Sequence, residues 1–158
     1  MTRHARGGMA RRACTVALAS LWMLAVPAQA GVTFANGWMR PAAAGAASAD
    51  AYIDVTTDEA LTLVGVTTPV AASVELVQGQ VSAGEYRTSV VGQVAIAAKS
   101  TYRFARLGNV LRLSGLAQGV RTGDSVALTF TFRDAAQHTS TASATIVARG
   151  AVDPAPAK

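Results

Sequence analysis

From Val32 onward, apolar and polar residues alternate in short runs with the period of a half-buried strand. The runs are "AYIDVTT" (51–57), "LTLVGVTT" (61–68), "SVELVQGQ" (73–80), "SVALTFTF" (125–132) and "TSTASATIV" (139–147). In the fourth, Val126, Leu128, Phe130 and Phe132 share one face and Ala127, Thr129 and Thr131 the other. A shorter run, "LGNVLRLSGL" (107–116), reads as a turn at Gly108-Asn109 feeding a strand in which Arg112 faces away from Leu111 and Leu113. Gly79, Gly84, Gly108 and Gly123-Asp124 punctuate the gaps, and no segment has a convincing helical period. The pattern therefore predicts a single all-β domain, an antiparallel sandwich or barrel. Two segments fall outside it, the Ala/Gly loop "PAAAGAASAD" (41–50) and the tail 151–158, which ends in "DPAPAK" and is expected to be disordered.

The amino-terminal end follows a different grammar. Arg3, Arg6, Arg11 and Arg12 precede an apolar run from Ala13 to Val26, and Ala28-Gln29-Ala30 closes it. A basic region, an apolar stretch too short to span a bilayer and a small-x-small site predict a secretory signal over 1–30, cleaved near Ala30-Gly31. Export through the general route is expected, because Ala13 and Cys14 do not extend a twin-arginine pattern. A periplasmic or secreted domain over 31–150 follows, with no membrane insertion after the leader is removed.

Removing the leader changes what composition implies. All nine acidic residues lie after residue 30, whereas four of the fourteen Lys and Arg lie before it, so the remaining chain carries ten basic against nine acidic groups. The basicity of the whole chain belongs to targeting, and no nucleic-acid footprint remains. Cys14 leaves with the leader and does not sit in a lipobox-like context, so no disulfide, thiolate nucleophile, thiolate metal site or lipid anchor is expected.

Candidate chemistry is sparse. After the leader the chain has one His, His138, and one Met, Met39. A zinc or copper site built from soft ligands needs several such groups, so no metal and no cofactor are expected. His138 lies in the turn "RDAAQHTS" and reads as a solvated turn residue, and Met39 as packing. No Ser sits in a Gly-x-Ser-x-Gly elbow, and the adjacent carboxylates Asp58 and Glu59 read as a solvated turn. These absences point away from an enzyme.

The pieces "GWMRPAAAG" (37–45), "AYIDVTT", "LVGVTTPVA" (63–71), "SVEL" (73–76) and "SGLAQGVRTGDSVALTFTF" (114–132) resemble, in order and spacing, the periplasmic copper chaperone family PCu(A)C. The similarity covers nearly all of 32–147. The resemblance implies a cupredoxin-like antiparallel Greek-key β-sandwich that holds copper(I) with His and Met and delivers it to a respiratory copper centre. The family's ligands are a His, ten residues, a Met, twenty-one residues, then His-x-Met. Laid on this chain, with Gly115-Leu116 supporting the register of the last pair, those positions are Val77, Thr88, Val110 and Arg112. Valine offers no lone pair, the Thr hydroxyl is a hard donor, and Arg112 places a permanent cation where the metal would sit. At about 5 Å and an effective dielectric of about 20, that repulsion alone is about 3 kcal/mol.

Three readings of function follow. The first is an exported, non-enzymatic binding module of chaperone ancestry, meeting an unidentified periplasmic protein of a copper delivery pathway. In one form of it Arg112, in an apolar rim, binds a small anion or carboxylate; in another Arg112 is a solvated charge on an outer strand face. The second retains metal, with copper(II) held by the mature amino terminus, backbone nitrogens or His138, or with a site completed by a partner chain. The third is a structural subunit of a surface assembly.

Overall fold

The computed structural model describes residues 31–150, and the leader and tail expected at 1–30 and 151–158 lie outside them. Ten strands follow in order: β1 Val32–Met39, β2 Ser48–Thr57, β3 Leu61–Thr67, β4 Ala71–Ser82, β5 Glu85–Val91, β6 Val94–Ile96, β7 Ser100–Phe104, β8 Val110–Leu116, β9 Ser125–Arg133 and β10 Thr139–Ala148. The described residues contain no helix. All six runs noted above are strands, and alternation marked them because each buries one face. Strands β5, β6 and β7 had no separate signal: β5 is almost wholly exposed and shows no apolar face, and β6, although it buries Val94 and Ile96, has three residues, too few to show a period. The loop "PAAAGAASAD" ends earlier than its composition suggests, since Ser48–Asp50 pair with Arg112–Ser114 as the start of β2. Small residues are tolerated there because the neighbouring strands supply the hydrogen bonds and the bulk.

The strands run β5-β4-β8-β2-β1-β10-β9-β3-β6 across the sheet, with β7 paired to β2 off that path. Five strands separate β4 from β3 in this order, yet the two pack together, so the sheet folds back on itself and closes around its inner face. Every pairing between strands is antiparallel except one: β1 runs parallel to β10, with Trp38 beside Val147 and Met39 beside Ala148. The sheet is thus mixed rather than purely antiparallel. The parallel pair arises because the two strands nearest the ends of the domain enter it side by side, joined through the whole of the intervening chain.

The interior is built from the inward residues of nearly every strand. Val126, Leu128, Phe130 and Phe132 of β9 are 0–1% exposed, the face that alternation predicts. They meet Ile53 and Val55 of β2, Leu63 of β3, Leu111 and Leu113 of β8, and Ile146 of β10. Met39 is fully buried in the same cluster, the packing role expected of it. Phe34 stacks obliquely on Phe130 at a centroid separation of 4.8 Å.

One irregularity sets what lies outside. In β1 the register against β2 shifts between Ala35 and Trp38, at Asn36 (φ 54) and Gly37. Asn tolerates the left-handed conformation, and here its amide also donates to Asp54 Oδ2 at 2.8 Å. Gly37 passes so close to β10 that a Cβ would lie 2.6 Å from Ile146 Cγ2. The bulge changes the phase of the strand: Phe34 and Met39, five residues apart, both face the core, and Trp38 is turned to the outer face.

Removing a ring from the centre of this interior should cost far more than changing the opposite face of the same strand. Phe132→Ala is expected to destabilise the domain by about 3–5 kcal/mol, and Thr131→Ala by less than about 1 kcal/mol. Urea unfolding followed by fluorescence measures both, and equal effects would contradict the assigned facing of β9.

Candidate functional site

The outer face of β1-β2-β8-β4-β5 is where the four candidate positions lie. Register aligns Trp38 of β1 with Tyr52 of β2, Val77 of β4 with Val110 of β8, and Val77 with Val90 of β5. Val77, Val110 and Tyr52 form a second apolar cluster, separate from the main core, with Trp38 packed against it. These residues are 1%, 5% and 6% exposed, unusually dry for the outside of a sheet. The indole and phenol rings sit 4.5 Å apart at 34°, and the Arg149 guanidinium lies 5.1 Å from the Trp38 ring centroid. An apolar row therefore crosses the face, capped at one end by a cation on an aromatic ring.

A charged row runs beside it. Arg112 is opposite Asp50 on one side and Glu75 on the other, and its Nε donates to Asp50 Oδ1 at 3.1 Å. Both side chains of that pair are about one-third exposed (34% and 33%). The strand geometry thus places Arg112 on the outer face, as the alternation around it predicts, but held by a carboxylate rather than solvated alone.

Thr88 lies on the other side of the apolar row, exposed and opposite Gly79. The β4–β5 hairpin that carries it turns through Ala83 (φ 53) and Gly84 (φ 81), a two-residue loop with both central residues left-handed. Gly79 is required: a Cβ there would collide with the Tyr86 hydroxyl and lie 2.5 Å from the Gly108 carbonyl oxygen. Across that gap Tyr86 Oη donates to Gly108 O at 3.2 Å, fastening the hairpin to the turn before β8.

All four positions therefore share one face of three adjacent strands, with Val77 and Val110 directly opposed, Arg112 one row to one side and Thr88 one row to the other. Sequence reasoning missed Trp38, Tyr52 and Asp50. Tyr52 and Asp50 had a signal, since they alternate with the inward Ala51 and Ile53. Trp38 had none, because the bulge that turns it outward breaks the alternation. Among the described residues no three or more His, Cys, Asp or Glu side chains gather where they could hold a metal ion.

His138 is remote in sequence order from this face, in the β9–β10 turn. Its amide donates to Asp134 Oδ1 at 2.8 Å, and its Nδ1 lies 3.2 Å from Asp134 Oδ2, with the imidazole largely in solvent. The backbone hydrogen bond from His138, aided by its side chain, holds the Asp134 carboxyl below the usual carboxylate range.

The LpqE-like family model, described as "Putative lipoprotein LpqE-like", matches residues 32–144. The chain belongs to the LpqE-like family. Its fold is shared by solved PCuAC domains. The apo PCuAC domain from PmoF1 has a TM-score of 0.56 at 18% identity, covering 77% of this chain and 98% of that one. The copper-bound PCuAC domain from PmoF2 has a TM-score of 0.55 at 20% identity, covering 77% and 97%. Apo-DR1885 from Deinococcus radiodurans, a solution structure, has a TM-score of 0.51 at 24% identity, covering 94% and 95%. At these identities the likeness is one of fold. No curated protein matches the chain. Cys14, the single cysteine of this LpqE-like chain, lies outside the described residues.

Two outcomes follow from the geometry. Asp50→Asn and Arg112→Gln should show a coupling of about 0.5–1 kcal/mol in a double-mutant cycle of unfolding free energies, the size for a pair only partly shielded from water; additive effects would mean that the pair contributes nothing. A depressed folded-state pKa means that Asp134 contributes stability above the ordinary carboxylate range and loses it as pH falls through the lower folded value. Asp134→Asn keeps an acceptor for the His138 amide without titrating, so it should lose less stability than the parent on acidification across that window. Chemical denaturation at a series of pH values reads the difference.

Proposed function

We propose that this LpqE-like domain is an exported, non-enzymatic binding module acting near copper traffic, and that it does not hold copper(I) by the PCu(A)C ligand set. The observation that carries the reading is the opposition of Val77 and Val110 in a nearly dry apolar cluster, where the resemblance would require two imidazoles. Neither side chain has an electron pair to give a metal, and Arg112, paired with Asp50, adds a cation on the same face. The same substitutions that remove ligands supply packing, so the face is suited to contact with another protein rather than to metal exchange. Exposed Val81, Tyr86, Val90 and Leu107 extend the apolar character around the hairpin and the turn before β8. No helix among the described residues is long and apolar enough to cross a membrane. Export rests on the leader pattern at 1–30, and the partner is a periplasmic protein of a copper delivery pathway.

A second reading has one observation in its favour. His138 and Asp134 bring an imidazole nitrogen and a carboxylate oxygen within 3.2 Å in an exposed turn, a pair that a second chain or the mature amino terminus could complete as a copper(II) site.

Competition with a chromophoric copper(I) chelator under reducing conditions tests the first reading. The natural chain is expected to leave the chelator loaded, whereas a chain carrying Val77→His, Thr88→Met, Val110→His and Arg112→Met should withdraw copper. Tight binding by the natural chain would overturn the reading. Copper(II) binding abolished by His138→Ala would move the function to the second.

A further inference from the structure

The outer face holds a second feature that neither the family resemblance nor the copper reading uses. Where β1 ends, the chain continues through Arg40, Pro41 and Ala42 alongside the first residues of β2, leaving a cavity of about 250 Å³ lined by this segment and by Ser48, Asp50 and Tyr52. Its outer wall is pinned, because Ala42 and Val120 exchange backbone hydrogen bonds of 2.9 and 2.8 Å. Proline at 41 stiffens the same wall.

Three donors line this cavity without a protein partner. The Arg40 guanidinium, the Ser48 hydroxyl and the Tyr52 hydroxyl make no hydrogen bond or ion pair with another described residue. The Tyr52 ring is covered, the residue being only 6% exposed, while its hydroxyl stays open at the cavity and can donate to a ligand there. Burial, with Asp50 beside it, raises the Tyr52 pKa, while Arg40 and Arg106 act against that rise, so the hydroxyl keeps its proton and remains a donor at neutral pH.

Charge selects the ligand. The acid in the cavity, Asp50, is already engaged by Arg112 at 3.1 Å, which leaves Arg40 as the cation in excess. Around the Trp38–Tyr52 pair, Arg40, Arg106, Arg112 and Arg149 stand against Asp50 and Glu75, so the face is cationic. A planar guanidinium with two hydroxyl donors fits a planar carboxylate, to which it can donate two parallel hydrogen bonds. A phosphate dianion fits less well, because the second charge would stand against Asp50 in the same small space. The volume admits an anionic group and a few attached carbons and is below that of pockets that enclose drug-sized ligands.

We propose that Arg40, Ser48 and Tyr52 form a carboxylate-binding pocket, which takes either a small free organic acid or the carboxyl terminus of a peptide. Arg112, the cation that the sequence by itself offers for such a role, acts as a positioning residue by holding Asp50 away from Arg40. The pocket does not depend on the copper reading, and its test reads different residues.

The test is an amide chemical-shift titration of the full chain with acetate and with tri-alanine bearing a free or an amidated carboxyl terminus. Acetate and the free tripeptide are expected to shift Arg40, Ser48 and Tyr52, and the amidated peptide to leave them in place. Tighter binding of the tripeptide than of acetate assigns the pocket to chain termini; the reverse order assigns it to free acids. Arg40→Gln should weaken binding by about tenfold or more, and Tyr52→Phe, which keeps the ring against Trp38, by several-fold. Arg87→Gln removes an exposed cation from the same sheet but one paired with Glu85 at 2.9 Å, and should change nothing. Equal binding of the amidated peptide, equal loss from Arg87→Gln, displacement of acetate by an equal concentration of inorganic phosphate, or the absence of shifts would each overturn the proposal.

Discussion

The structure depends on the placement of β1 between β2 and β10. β1 is antiparallel to the first and parallel to the second, and through it the two halves of the sheet become one continuous surface. The seam needs close approach: Gly37 lies where any Cβ would strike Ile146, and Asn36 takes the left-handed conformation that lets the strand bulge. Inside, this allows Phe34 and Met39 to reach a common core with β9 and β10. Outside, it delivers Trp38 to a face from which regular alternation would have excluded it.

The outer face carries the four positions singled out from the sequence. On three adjacent strands it presents Val77, Val110, Thr88 and Arg112, and the structure uses each differently. The two valines pack with Tyr52, Arg112 is held by Asp50, and Thr88 stands exposed on the hairpin. An apolar row on the outside of a sheet is stabilising only when something covers it. Here Trp38 and Tyr52 supply part of that cover from within the chain. The likeness to solved PCuAC domains is one of fold, and function lives in the site rather than in the fold.

The strongly alternating runs were legible because each buries one face: Val126, Leu128, Phe130 and Phe132 could be assigned inward from spacing alone. The middle of the chain was not, because β5 is an edge strand whose side chains are mostly in solvent, and such a strand carries no apolar period to read. Arg112 was placed on the outer face by its apolar neighbours. Its partner was not, since Asp50 lies sixty-two residues earlier in the chain and meets it only through the β2–β8 register.

The sequence by itself determined the all-β class, the inward faces of the long strands and the identity of the side chains at 77, 88, 110 and 112. These are local or compositional properties, settled by period and by residue type. Tertiary structure alone decided which strands are neighbours, that one pair is parallel, that Trp38 turns outward, and that Arg40, Ser48 and Tyr52 line one cavity. Those outcomes come from register and from a single bulged residue, and a shift of one position in a strand exchanges its two faces while leaving the sequence unchanged.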